Sequence, residues 1–330
     1  MKYKVNIQTI YEVGKRKDKE GRPHQEDSIF PAHGHAKESD RLFILCDGMG
    51  GHEAGEVASQ TVCDAMSQTI LSSNTPFDDN LLLRAIDNAY NKLDSCDYNP
   101  DVSHKMGTTL TLLSLHEGGA TIAHMGDSRV YHIRTNASRQ DEVLFHTRDH
   151  SLVNDLVMIG SITPEQAKHH PQKNIITRAM QPGLEDRCEA DIYHTADIKK
   201  GDYFFLCSDG MLEEMEDHNL CNILSGDASD EEKAATLRQV TENNKDNHSA
   251  ILVHILDVEG DAVAPKAAAS NVDIDENELQ QAEPHAPQQS EEKSSDDKPE
   301  ETAKPTENQY PWTTIVLVVA MAALAMIFLL

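Results

Sequence analysis

The chain has 330 residues and carries 29 lysines and arginines against 56 aspartates and glutamates, a formal net charge of −27. Binding to a nucleic-acid backbone depends on Lys and Arg displacing counterions, so so acidic a chain excludes DNA and RNA as expected partners. Six cysteines with no C-x-x-C pair speak against a disulfide framework and a cysteine zinc site, and favour a reducing compartment.

Met1 to Arg22 is polar and charged with no apolar core. No secretory signal is expected there, and the chain is expected to start in the cytosol. Leu42 to Cys46 is a short apolar run that ends at Asp47 and Gly48, which predicts a buried strand feeding a turn. Two helices are expected next. Gly55 to Leu71 places Ala58, Val62, Ala65, Met66 and Ile70 on one face, and Asp78 to Leu93 does the same with Leu82, Ile86, Ala89, Tyr90 and Leu93. Strands are predicted over Thr108 to Leu115, Ala120 to Met125 and Arg129 to Arg134. Glu117-Gly118-Gly119 joins the first two as a hairpin. Asp202 to Cys207 reads as a strand, Glu213 to Leu224 and Ser229 to Asn243 as helices, and Ser249 to Leu256 as a closing strand. Strands in runs and helices in pairs indicate an α+β chain with antiparallel sheets.

The globular composition ends near residue 257. Between Glu259 and Tyr310 there are 14 acidic and 4 basic residues and few apolar ones. Such a stretch buries too little apolar surface to offset its ordering entropy, so residues 258–311 read as an acidic disordered linker. Thr313 to Leu330 is uncharged over 18 residues, with Tyr310 and Trp312 at its entry. As a helix it would span ~27 Å, close to the ~30 Å hydrocarbon core of a bilayer, with the two aromatic rings at the headgroups. Residues 312–330 are therefore expected to form a single transmembrane tail anchor, leaving residues 1–257 on the cytoplasmic face.

Aspartates recur where strands stop or turns begin. Asp27 precedes Ile29-Phe30, Asp47 ends the Leu42 to Cys46 strand, Asp127 lies in Gly126-Asp127-Ser128-Arg129, Asp209 in Ser208-Asp209-Gly210, and Asp246 before Asn247. One Asp-Gly is an ordinary turn. Several carboxylates converging from distant positions would instead make a hard-oxygen site for Mg²⁺ or Mn²⁺. Spacing alone leaves both readings open.

These residues belong to eight motifs in order: Arg22-x-x-x-Glu26-Asp27, Asp47-Gly48-Met49-Gly50-Gly51-His52, Met106-Gly107-Thr108-Thr109, Gly126-Asp127-Ser128-Arg129, Asp149-His150-Ser151, Ile176-Thr177-Arg178-Ala179, Ser208-Asp209-Gly210 and Asp246-Asn247. In them the chain resembles the metal-dependent Ser/Thr protein phosphatases of type 2C, in their bacterial form. The resemblance implies a four-layer αββα fold, an antiparallel β-sandwich flanked by helix pairs, with two or possibly three Mn²⁺ or Mg²⁺ ions at one end. It implies that Asp47 bridges two metals, with the Gly48 carbonyl completing one and Asp209 and Asp246 ligating the other. Glu26 and Asp27 would bind metal-coordinated waters, Arg22 would hold the substrate phosphate, and Asp127 with Asp209 would form a third metal site. Leu152 to Lys173 would be a mobile flap beside the site.

The implied activity is hydrolysis of phosphoserine and phosphothreonine in substrates of Ser/Thr kinases by a metal-activated water. No cysteine or serine nucleophile is needed, and Cys46 and Cys207 read as core. Met49 stands where eukaryotic members carry a histidine, which leaves the proton donor to the leaving group open: His52 is a candidate but reads better as a structural or supporting residue, and a metal-bound water could serve. His33, His35, His169 and His170 lie in polar segments and read as solvated. A catalytically silent scaffold and a small-phosphoester hydrolase are the alternatives, and the complete acidic set of Asp47, Asp209 and Asp246 favours activity over the first.

Overall fold

The computed structural model describes residues 1–15, 24–50, 53–96, 106–135, 142–213 and 215–262. The expected acidic linker and membrane segment lie outside them, apart from residues 258–262. No helix among the described residues is long and apolar enough to cross a membrane.

Two antiparallel sheets form the centre. One has the order β1 (Lys2–Glu12), β11 (His248–Glu259), β10 (Asp202–Cys207), β7 (Arg129–Arg134) and β8 (Glu142–His146). The other runs β2 (Asp27–Phe30), β3 (Leu42–Met49), β5 (Leu110–His116), β6 (Gly119–Met125) and β9 (Asp191–Thr195), with β4 (Gly107–Thr108) on the end of β3. Helices α1 (Glu53–Leu71) and α2 (Asp79–Asp94) follow β3, while α5 (Asp217–Ser225) and α6 (Asp230–Thr241) follow β10.

Alternation along the strands divides the apolar residues into three cores. Leu42, Ile44 and Cys46 of β3 pack with Leu110, Leu112, Ala123 and Met125 against α1 and α2. The opposite face of the same strands, Phe43, Leu45, Leu113 and Ile122, meets Val130, Phe204, Leu206, Ile251 and Val253 of the other sheet. Tyr131, Ile133, Tyr203, Phe205 and Leu252 then face outward onto Leu220, Leu224 and Leu237 of α5 and α6. Three cores between four layers give helices, sheet, sheet, helices. The central strands are buried on both faces, which is why they read as unbroken apolar runs rather than as alternation.

The sequence-based boundaries need four corrections. The expected strand Thr108 to Leu115 is two, because β4 pairs with Gly48 and Met49 whereas β5 pairs with Leu42 to Leu45. No helix begins at Glu213: Asp209–Leu212 is a 3-10 turn, and α5 starts only at Asp217. Strands β1, β2, β8 and β9 carry too many polar residues for the apolar-run criterion and were not anticipated. The closing strand also runs on to Glu259, past the change in composition.

Phe204 is fully buried between the sheets and stacks on His132 at 4.3 Å. Phe204→Ala should lower the unfolding free energy by about 3–5 kcal/mol, measured by urea denaturation of the full chain.

Candidate active site

Strand register brings the aspartates to one end of both sheets. Asp27 opens β2 directly opposite Asp47 near the end of β3. Cys207, the last residue of β10, pairs with Arg129 at the start of β7 and with Ala250 near the start of β11. Asp209 therefore leaves β10 beside the turn that carries Asp127 and beside the entry to β11 that carries Asp246.

Burial and shared negative charge act on these groups together. Burial raises the Asp27 carboxyl to about 7, reinforced by Asp209 and Asp246 and opposed by hydrogen bonding. Burial, then Asp209 and Asp149, raise Asp127 to about 8. Burial and Asp246 raise Asp209 to about 6. Asp47 is pushed well above the usual range by burial and by Asp27, Asp209, Asp127 and Asp246 together. Among the described residues, Arg129 is the cation beside Asp127, and it donates to both oxygens of Asp149, at 2.6 and 2.8 Å.

Neutral groups hold this arrangement. The Asp47 N–H donates to Thr109 Oγ1 at 2.9 Å, and its carbonyl accepts from Thr108 Oγ1 at 3.0 Å and the Thr109 N–H at 2.9 Å. Thr109 and Ser128 share a buried hydroxyl bond of 2.7 Å, which ties the Asp127 turn to the Asp47 strand. Ser208 Oγ donates to Asp27 Oδ2 at 3.0 Å. The Asn247 carboxamide accepts from the Glu26 N–H at 2.8 Å and donates to the His24 carbonyl at 2.8 Å. The Asn247 backbone N–H donates to Asp246 Oδ1 at 3.0 Å. Glycines allow the backbones to close up: a Cβ on Gly48 would lie 2.1 Å from the Gly55 carbonyl oxygen, and one on Gly210 would lie 2.0 Å from that of Asn247.

Of the residues singled out from sequence, Glu26, Asp27, Asp47, Gly48, Asp127, Asp209 and Asp246 are thus gathered at one end. Arg22 and His52 lie outside the described residues. His33, His35 and His169 are exposed, and Cys46 and Cys207 are fully buried. Thr109, Ser128, Ser208 and Asn247 are further residues of the site that the sequence shows only as letters within the motifs. Ser128, Ser208 and Asn247 each stand next to an aspartate in the chain, which was the available signal; Thr109 has no such neighbour.

The segment read as a flap contains two short helices, α3 (Leu152–Met158) and α4 (Pro164–Lys168). It is rooted by pairing of Ser151 with Ile176 and by the Leu152 N–H donating to the Ile175 carbonyl at 2.9 Å. Beyond it, Met180 and Thr108 exchange two backbone bonds of 2.9 Å, which link the segment through β4 to Gly48.

An all-oxygen set that resists full ionisation has the chemistry of a hard-cation site. Asp27 Oδ1 is also sealed from solvent with no well-aligned hydrogen bond. Without an ion, each raised carboxyl holds a proton that the unfolded chain, near the ordinary 3.8, has released. Its contribution to stability is full below about pH 4 and is lost as pH rises through the window of about 6 to 8. Thermal unfolding of chelator-treated protein should fall in temperature from pH 5 to pH 8, and Mn²⁺ should recover more of it at pH 8 than at pH 5. A flat profile would show that these carboxyls are not raised in the folded chain.

A family model described as protein phosphatase 2C matches residues 13–257. Protein phosphatase PhpP of Streptococcus pneumoniae is 34% identical over 218 residues, covering 64% of this chain and 85% of its own. The serine/threonine phosphatase stp of Listeria monocytogenes serotype 4b is 31% identical over 242 residues, covering 70% of this chain and 90% of its own. Among solved structures, the serine/threonine phosphatase Stp1 of Staphylococcus aureus matches with a TM-score of 0.63 at 34% identity, over 78% of this chain and 96% of that one. A PstP catalytic domain in complex with two manganese ions matches with a TM-score of 0.61 at 28% identity, over 77% and 99%. The chain belongs to the protein phosphatase 2C family and is a serine/threonine protein phosphatase of the bacterial type.

Proposed function

We propose that the gathered carboxylates hold two divalent ions, Mn²⁺ or Mg²⁺, with a third at Asp127, and that the site hydrolyses phosphoserine and phosphothreonine in proteins. The observation that carries this reading is the raised set of Asp27, Asp47, Asp127 and Asp209, none of which forms an ion pair with a lysine or arginine among the described residues. The two manganese ions in the related PstP domain support it. Asp47 with the Gly48 carbonyl, Asp209 and Asp246 would hold the ion pair, and Asp127 with Asp209 the third ion. Glu26 and Asp27 would hold water around them, and Arg22 would bind the phosphoryl group through its guanidinium fork. Ions so bound supply a nucleophile at neutral pH by acidifying water and draw charge from the phosphoryl oxygens.

The chain's own part is to keep these groups aimed. Thr108 and Thr109 fix the Asp47 main chain, Ser208 orients Asp27, and Asn247 ties Asp246 to the segment carrying Glu26. Cysteine attack has no candidate next to these ligands, because burial pushes the Cys46 and Cys207 thiols far above the range where a thiolate forms.

The acidic stretch and the apolar tail support a second part of the proposal. Residues 258–311 would tether the catalytic domain and residues 312–330 would anchor it, with the domain on the cytoplasmic face. Confinement of this kind raises the effective concentration toward membrane-bound kinases and their substrates.

Purified full-length protein should release phosphate from a phosphothreonine peptide with Mn²⁺ and stop when the metal is chelated. Asp209→Asn should cut that turnover by more than about 100-fold, beyond the usual effect of losing an outer-shell partner, while the protein stays folded. Near-normal turnover in the variant would sink the ligand assignment. In cell fractionation, deletion of residues 311–330 should move the protein from the membrane pellet to the soluble fraction, and its retention in the pellet would refute the anchor.

A further inference from the structure

A second polar cluster lies close to the carboxylate end. His124 on β6, His150 between β8 and α3, and Asp191 at the start of β9 bring one potential ligand atom each to within 4.8 Å of the others. The two imidazole rings are 4.6 Å apart at an interplanar angle of 34°. The residue types suit a transition metal, but the hydrogen bonds around His150 oppose one. The Gly126 N–H donates to His150 Nδ1 at 3.1 Å, so that nitrogen carries no proton. The ring proton is then on Nε2, which donates to Asp191 Oδ2 at 3.1 Å. Ligation through Nε2 would need the proton on Nδ1, where the Gly126 N–H already points. Arg178 Nη1 also sits 3.0 Å from Asp191 Oδ1 and 3.5 Å from His150 Nε2, placing positive charge where a metal would go.

The same bonds describe a brace. His150 grips Gly126 at two points: its own N–H donates to the Gly126 carbonyl at 2.8 Å, and its ring accepts the Gly126 N–H. Gly126 adopts φ +113°, which side-chain residues rarely tolerate. Thr109 packs against it so closely that a Cβ there would lie 2.5 Å from Thr109 Cγ2. The next residue is Asp127. The brace is fixed from behind, because Asp191 holds the ring and Arg178 holds Asp191. Burial works against ionisation of Asp191, yet the bonds from His150 and Arg178 keep its carboxyl below the usual range. His124 closes the ring's face as a neutral imidazole, pushed down to about 3 by burial and by His150.

We propose that His150 is a positioning residue for Asp127, setting the Gly126–Asp127 turn through its Nδ1 acceptor while Asp191 fixes its tautomer. The inference rests on the reading of Asp127 as an ion ligand, and the test separates the two. Mn²⁺ binding to the full-length protein would be followed by calorimetry, with peptide turnover and melting temperature alongside, for Asp127→Asn, His150→Gln, His150→Asn and the double variant Asp127→Asn/His150→Gln. A glutamine can still donate to Asp191 but offers nothing at the Nδ1 position, whereas an asparagine oxygen can take the place of Nδ1.

Asp127→Asn should remove one class of bound Mn²⁺. His150→Gln should weaken that same class about tenfold, as outer-shell changes at metal sites do, and His150→Asn should restore it to within about twofold. The double variant should match Asp127→Asn alone. The brace is overturned if folded His150→Gln binds Mn²⁺ like the parent while Asp127→Asn does not. It is equally overturned if the two losses add, or if His150→Asn is as impaired as His150→Gln. Parent-like binding by Asp127→Asn would overturn the ligand reading itself and the brace with it.

Discussion

Like charges crowded into a poorly solvated space are the constraint on which the rest of this structure depends. Asp27, Asp47, Asp127, Asp209 and Asp246 come from five separate places in the chain and repel one another at the ends of two sheets. Left to themselves they would spread apart or take up protons. What keeps them together is the continuity of the strands behind them, since each ligand-bearing turn is the extension of a strand buried in the sandwich. The apolar cores thus provide the restoring force against an electrostatic load at their edge.

That load is managed with neutral groups. Hydroxyls and a backbone N–H position Asp47, Asp27 and Asp246 without neutralising them. Among the described residues, the arginines near the site face other carboxylates, Arg129 toward Asp149 and Arg178 toward Asp191. A lysine or arginine placed among the aspartates would relieve the repulsion and, with it, the affinity for a cation. The buried Thr109–Ser128 contact has the further effect of making the Asp47 and Asp127 turns one mechanical unit.

Much of this was legible in the sequence. The doubly buried strands announced themselves as apolar runs, and the helices as 3.6-residue stripes. The aspartates stood out because each follows or precedes a strand next to glycine. What stayed hidden followed from the same criteria. Strand β1 alternates Lys, Tyr, Lys, Val and Asn and buries only part of one face, so it lacks an apolar run. Strand β2 has four residues, too few to show a period. The break between β4 and β5 depends on which residues of β3 each one pairs with, a long-range fact that local propensity does not encode. The supporting residues were visible as letters but not as contacts. Nothing in the spacing of Asn247 and Glu26, 221 positions apart, indicates a hydrogen bond between them.

Strands β1 and β11 are antiparallel partners from Glu12 opposite His248 to Lys2 opposite Glu259. The aspartates sit beyond the His248 end, and the twelve residues of β11 extend roughly 35–40 Å away from them. At the far pole the Met1 ammonium donates to the carbonyl of Asp261 at 3.3 Å. The domain is therefore polar in the geometric sense, with its chemistry at one pole and both of its chain ends at the other. The last described residues of the domain are thus held about a strand's length from the carboxylates, by the same β1–β11 pairing that aims Asp246.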